Sequence, residues 1–183
     1  MTNIEITDIQ FNQIKNFANE VYPTIQSYLS DRNQTNKETV INQIIVGKIG
    51  EVGAREWITT WGKPSDVNFS VTKDKSFDPD LTVTVSYKMH VKSQSSEQAR
   101  RYGTSWTFGY GKNGNRDKEI FDNPHKNDFV IFCLVHGKLV EIKAVMRVPE
   151  LHKLKLFKLP KKESLKNVKR VIYLNDIPKK YWK

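Results

Sequence analysis

Cysteine is almost absent from this chain. A single residue, Cys133, stands among 183, so no intrachain disulfide can form. That pattern predicts a reducing compartment, and a cytoplasmic location is expected. Cys133 lies within the apolar run Phe129–Val135, which reads as a buried strand, so its thiol reads as packing rather than as a nucleophile. Long hydrophobic runs are missing too. No stretch approaches the roughly 18 consecutive apolar residues of a membrane span, so no membrane partner is expected. Residues 1–8 are polar and acidic, without the basic start and apolar centre of a signal peptide. No Cys or His cluster has the spacing of a structural zinc site, and His125, His136 and His152 are assigned to surface loops. Internal repeats and low-complexity linkers are absent, and one domain is expected over residues 1–183.

What the chain has is enough apolar material for a core and an uneven excess of positive charge. Hydrophobic residues make up 38% and aromatic residues 11%, a globular composition. The formal net charge is +10. Between Pro149 and Lys183 stand eleven Lys and Arg against three acids, so most of the excess is C-terminal. A cationic region of that kind suits a polyanion such as nucleic acid. The chain therefore divides into an N-terminal helical part (1–35), a central core (36–148) and a basic C-terminal part (149–183).

Apolar residues from Phe11 to Leu29 recur at three and four, which predicts a helix over residues 7–31 that Pro23 kinks or splits. A second helix is expected over residues 36–60. Thr35 with Glu38 would form a capping box, and Asn36 is the alternative cap. Gly47, Gly50 and Gly53 sit inside it, which points to close approach to a sheet or a ligand. Glu51 lies among them, with Arg55 one turn on as a possible surface partner. Strands are expected at 67–71, 128–135, 138–148 and 170–174, with a tight turn at His136-Gly137 and a short helix from Ser95 or Ser96 to Arg101.

The segment from Asp78 to Gln94 carries the chemistry. It opens Asp78-Pro79-Asp80, alternates from Leu81 to Val91, and places His90-Val91-Lys92 ten residues beyond Asp80. It is too long for one ordinary strand and reads as a hairpin bending near Ser86. That bend would set Asp80 opposite Lys92 and Thr82 opposite His90 on one face. A hydrolytic metal site needs hard ligands for a divalent ion and a nearby cation for the attacking water or the phosphate. Asp80, His90 and Lys92 could supply ligand, ligand and cation. Asp78 is a rival for Asp80. The alternative is an Asp80–Lys92 salt bridge on a solvated face.

The order of elements is a helix with Glu51, a strand, a hairpin with Asp80 and Lys92, a helix, and the apolar strand from Asp128. From Gln43 to Val148 this resembles the PD-(D/E)XK nuclease superfamily. The resemblance implies a restriction-endonuclease-like α/β (α+β) core, a mixed central sheet flanked by helices. Glu51 matches the family's helix glutamate, Asp80 its metal-ligating aspartate, and Lys92 its catalytic lysine. Gln94 matches a polar residue sometimes found just after that lysine. The pattern departs at His90, where the family carries Glu, Asp or Gln; imidazole binds Mg²⁺ less well than a carboxylate and suits Mn²⁺ better.

The implied function is a divalent-metal-dependent deoxyribonuclease, an endonuclease on double-stranded DNA. Glu51, Asp80 and His90 would take Mg²⁺ or Mn²⁺ and Lys92 would orient the attacking water. A homodimer follows by analogy, since two strands call for two sites. Gln94, Arg100, Arg101, Tyr102, Trp106, Lys112 and Arg116 are candidate nucleic-acid contacts, because basic and aromatic side chains interleave there. For residues 102–116 the competing expectation is a strand whose Trp106 and Phe108 fill the core. Two rival functions stand beside the deoxyribonuclease, a non-catalytic nucleic-acid-binding protein and an RNase of the same fold.

Overall fold

The structure, a computed structural model, describes residues 2–25, 36–71, 79–84, 86–111 and 116–183. It is a mixed α/β fold built on a five-stranded sheet in the order β1-β6-β5-β3-β2. The strands are β1 (Thr2–Glu5), β2 (Leu81–Val83), β3 (Tyr87–Ser95), β5 (Asp128–His136) and β6 (Leu139–Arg147). Only β3 and β5 are parallel; the other pairs are antiparallel. Opposite one face lies a two-stranded ribbon of β4 (Ser105–Gly109) and β7 (Lys169–Tyr173). The helices are α1 (Asp8–Val21), α2 (Lys37–Thr59), α3 (Ser96–Tyr102), α4 (Lys118–Phe121) and α5 (Val148–Lys153). Among the described residues no helix is long and apolar enough to cross a membrane.

Local chemistry sets the helix ends. Thr7 and Gln10 form a capping box at the start of α1, and the helix stops at Val21, two residues before Pro23. Tyr22–Ile25 continue as a single 3₁₀ turn, so the α-helix ends before Pro23; residues 26–31 of the expected helix lie outside the described residues. At α2 the Asn36 side chain accepts from Thr39 N at 2.8 Å, so Asn36 is the cap; Thr35 lies outside the described residues. Ser95 caps α3.

Helix α2 lies directly on the sheet, and two of its glycines show why. A Cβ on Gly50 would stand 1.8 Å from Ser93 Oγ, and one on Gly53 would stand 2.6 Å from Val140 Cγ2. Strands β3 and β6 leave no room for side chains there. On that face Ile49, Val52, Ala54 and Ile58 pack with Met89, Val91, Ile131, Cys133 and Ile142. On the other face Trp106, Phe108 and Ile172 of the ribbon pack with Val130, Phe132, Ala144 and Met146. The sheet is thus covered on both sides, which explains the continuous apolar run of β5.

Two expectations change, and the sheet gains a strand that was not expected. No strand forms at Val67–Val71; instead Pro64 bridges Val83, and Ser65 N donates to Thr82 O at 2.8 Å along the outer edge of β2. The first eight residues are not simply polar lead-in: Thr2–Glu5 add an edge strand paired with Leu139–Ile142. In the basic C-terminal part the expected strand forms, at Lys169–Tyr173. Strand β7 pairs along all of β4, and Lys183 N donates to Lys143 O at 3.1 Å. That carbonyl belongs to the extra residue β6 carries at the register shift opposite Phe132 and Cys133. His152, expected in a surface loop, sits half-buried on α5 with its Nε2 2.7 Å from Ile120 O.

Candidate active site

The hairpin register decides which groups meet. Leu81 pairs with Met89 and Val83 with Tyr87, a register two residues off the one that a bend centred on Ser86 requires. Thr84 enters the left-handed region at φ 57°, giving a turn without Gly, Asn or Pro. The two-residue change in pairing sum sets Asp80 beside His90, not Lys92. Beyond Leu81 the strands no longer pair, and Asp80 Oδ2 takes the freed Val91 N–H at 2.6 Å. The alternative, an Asp80–Lys92 salt bridge, does not form. Lys92 Nζ lies 2.9 Å from Asp117 Oδ2 and 5.2 Å from the centre of the Phe108 ring.

Glu51 reaches the same region from α2. Its partner is Lys48, with Nζ 2.5 Å from Oε2, whereas Arg55 pairs with Glu56 and Asp66. Burial pushes the Glu51 carboxyl up to about 7, and the negative charge of Asp80 adds to the rise. Lys48 and then Lys92 pull against it. Glu51, Asp80 and Lys92 are therefore close enough to feel one another, although they come from a helix, a strand start and a neighbouring strand.

His90 is buried, and burial holds its imidazole below the ordinary value. Asp80, Glu119 and Asp128 oppose that fall, and Lys92 reinforces it. Among the described residues the His90 Nε2 has no hydrogen-bond partner; it stands 3.5 Å from Glu119 Oε2, which has none there either. A neutral imidazole with an open ring nitrogen can act as a ligand or take a proton.

Three acids here escaped the sequence reading. Asp117 holds Lys92 and also accepts from Gly109 N at 3.1 Å. Glu119 faces both His90 and Lys88. Asp128, 1% exposed, accepts from His125 N at 3.1 Å at the start of β5. No residue pattern marked them; the parallel pairing that sets Lys88 beside Asp128 and His90 beside Val130 appears only in the fold.

The candidate nucleic-acid contacts separate. Arg100, Arg101 and Tyr102 are exposed on α3, with Arg101 bonded to Glu97 at 2.7 Å. Arg116 bonds Asp122 at 2.6 Å and stacks on Tyr110. Trp106 is corrected: it is 1% exposed, its Nε1 donates to Cys133 O at 2.8 Å, and its ring fills the core, so it cannot stack on a base. Gln94 is corrected likewise. It is 6% exposed, accepts from Ser105 N at 2.8 Å and donates to Gly103 O at 3.1 Å, tying β3 to the loop before β4. Asp78 and Lys112 lie outside the described residues.

Among the described residues no three His, Cys, Asp or Glu side chains converge closely enough to hold an ion as they stand. Glu51 is turned to Lys48 and Asp80 to Val91. The donor set itself, two carboxylates and an imidazole with an open nitrogen, has the chemistry for a divalent ion. Compared with protein-family models, curated proteins and solved structures, the chain matches none.

Proposed function

We propose that this protein is a divalent-metal-dependent endonuclease of the PD-(D/E)XK type, hydrolysing phosphodiester bonds of double-stranded DNA. The observation that carries the reading is the meeting of Glu51 and Asp80. Two carboxylates from distant parts of the chain lie near enough that the charge of Asp80 raises the buried Glu51 carboxyl, while Lys92 lowers it. Such crowding is unfavourable without a cation. Asp80 and Glu51 would hold Mg²⁺ or Mn²⁺, with the open nitrogen of His90 as a third donor. When bound, the ion lowers the pKa of water and draws charge from the scissile phosphate.

The protein's own groups do the rest. Val91 N–H fixes the direction of the Asp80 carboxylate. Lys92 has three ammonium donors, of which Asp117 takes one, and the others serve the attacking water and the charge that builds on the phosphate. Asp117 is thus a positioning residue for Lys92. The exposed cations of α3 would lie along the DNA backbone and add affinity without reading sequence.

A second reading has its own support. Lys92 paired with Asp117 and Asp80 bonded to Val91 N would also suit a purely structural hairpin on a non-catalytic nucleic-acid-binding protein. Plasmid cleavage in Mg²⁺, Mn²⁺ or EDTA separates the two. Under the nuclease reading wild type cuts only with metal, and Asp80→Ala and Lys92→Ala each lose at least about a hundredfold in rate. Metal-independent binding without cutting, unchanged by Asp80→Ala, would replace it with the binder.

A further inference from the structure

We propose that the groove lined by Tyr110, Arg116, Asn167, Lys166 and Arg170 holds a backbone phosphate of bound nucleic acid. The proposal rests on the polyanion partner of the preceding reading, not on cleavage. The groove encloses about 560 Å³ beside the C-terminal end of β4. Its floor is an aromatic ring carrying two guanidinium groups. The Arg170 guanidinium carbon lies 3.8 Å from the Tyr110 ring centre, and that of Arg116 lies 4.4 Å away.

The two arginines are held differently. Arg116 is paired with Asp122. Arg170 has no carboxylate partner among the described residues; one of its nitrogens donates to Lys166 O at 3.1 Å and Lys169 O at 2.9 Å. Stacking and these carbonyl bonds pre-orient a planar cation and leave its other N–H edge for an acceptor. Preformed forks of this kind match the oxygens of a phosphate. Lys166 adds a third cation, and its partner Glu163 is 84% exposed at the side chain, so an incoming phosphate can displace that contact readily.

The groove is connected to the candidate active site through the chain. Arg116 precedes Asp117, which holds Lys92, and Tyr110 follows Gly109, whose N–H also binds Asp117. Tyr110 and Arg116 face each other across an antiparallel bridge. A phosphate in the groove would therefore anchor DNA at a fixed offset from Lys92.

The test is fluorescence anisotropy with a labelled duplex in EDTA, where no cutting intervenes, over a range of salt. Arg116→Gln/Arg170→Gln is compared with wild type and with Lys15→Gln, an exposed control on the far side of the sheet. The double variant should bind at least roughly tenfold more weakly at low salt, with a salt slope shallower by about one to two. Lys15→Gln should match wild type. Arg116→Lys/Arg170→Lys should keep most of the slope while losing part of the affinity, and thermal melting must show each variant folded. A folded Gln variant with wild-type affinity and slope overturns the proposal, as does a wild type that ignores duplex. If inorganic phosphate alone raises the melting temperature of wild type but duplex binding is unchanged in the variant, the groove is a free-anion site and the backbone assignment falls. If wild type never cuts DNA with any metal while the double variant still loses binding, the groove stands and the nuclease reading fails.

Discussion

Glu51 shows most directly how one residue links the fold to a charge problem. Its folded value near 7 exceeds the ordinary 4.5 because burial disfavours the charged form and Asp80 lies near. Between those values the native chain holds a proton that the unfolded chain has released. Stability without divalent metal should therefore fall as pH rises from about 4.5 to about 7, by an amount on the order of 3 kcal/mol. Urea unfolding in EDTA across that window measures it, and Glu51→Gln should flatten the profile. A wild-type profile as flat as the variant's would refute the buried, crowded carboxylate. Added Mn²⁺ should also raise the wild-type melting temperature more than that of Glu51→Gln. Asp80, His90 and Lys92 were singled out by residue type and spacing and Glu51 by the family resemblance; the fold brings Asp80 and Lys92 near enough to Glu51 and His90 to act on their charge. Asp117, Glu119 and Asp128 were not, because their place beside β3 depends on a crossover that periodicity does not report. Trp106 and Gln94 misled for a related reason: aromatic and amide side chains look alike in sequence whether they meet a base or a carbonyl inside the protein.

At the scale of the element, the three glycines of α2 make different predictions although they look equivalent in sequence. A Cβ at Gly47 meets nothing within 4 Å, so Gly47→Ala should stabilise by up to about 1 kcal/mol through helix propensity alone. At Gly53 the new methyl would press on all three branched atoms of Val140, between 2.6 and 2.8 Å away. A β-branched side chain in a strand has little freedom to turn aside. Gly53→Ala should destabilise by about 1–3 kcal/mol despite the propensity gain. Denaturant melts of both variants test the contrast; equal effects would mean that α2 does not lie on β6 as described. Helices α1 and α2 and the strands β5, β6 and β7 were readable because their apolar periods are strong, whereas α4 and α5 are too short to show one. The hairpin was found but misregistered, since a turn through Thr84 in the left-handed region carries no Gly or Asn to mark it. Strand β1 was missed because four residues alternate too briefly to register against a polar background.

For the whole molecule, the basic C-terminal region turns out to be architecture as well as charge. Val171, Ile172 and Ile177 are each 3% exposed or less, and Ile172 packs with Trp106 in the second apolar cluster. Removing residues 169–183 would strip roughly 5 to 9 kcal/mol of apolar burial, comparable to the whole stability of an ordinary domain. The truncated chain should lose its cooperative thermal transition and its near-ultraviolet circular dichroism. A soluble truncation with wild-type melting would show instead that the ribbon is an accessory. The sequence reading recognised the charge of this region and its one strand. It could not see that the strand closes the face of the sheet, because the partner β4 lies some sixty residues earlier.

The pairing of β1 with β6 has a consequence for biosynthesis. Residues 2–5 are made some 135 positions before their partners Leu139–Ile142. Until those partners follow, the segment has nowhere to dock, and closing so long a loop is slow. The sheet therefore gains β1 only after β6 has been made, and the nascent chain must keep that segment from pairing with a neighbour in the interval.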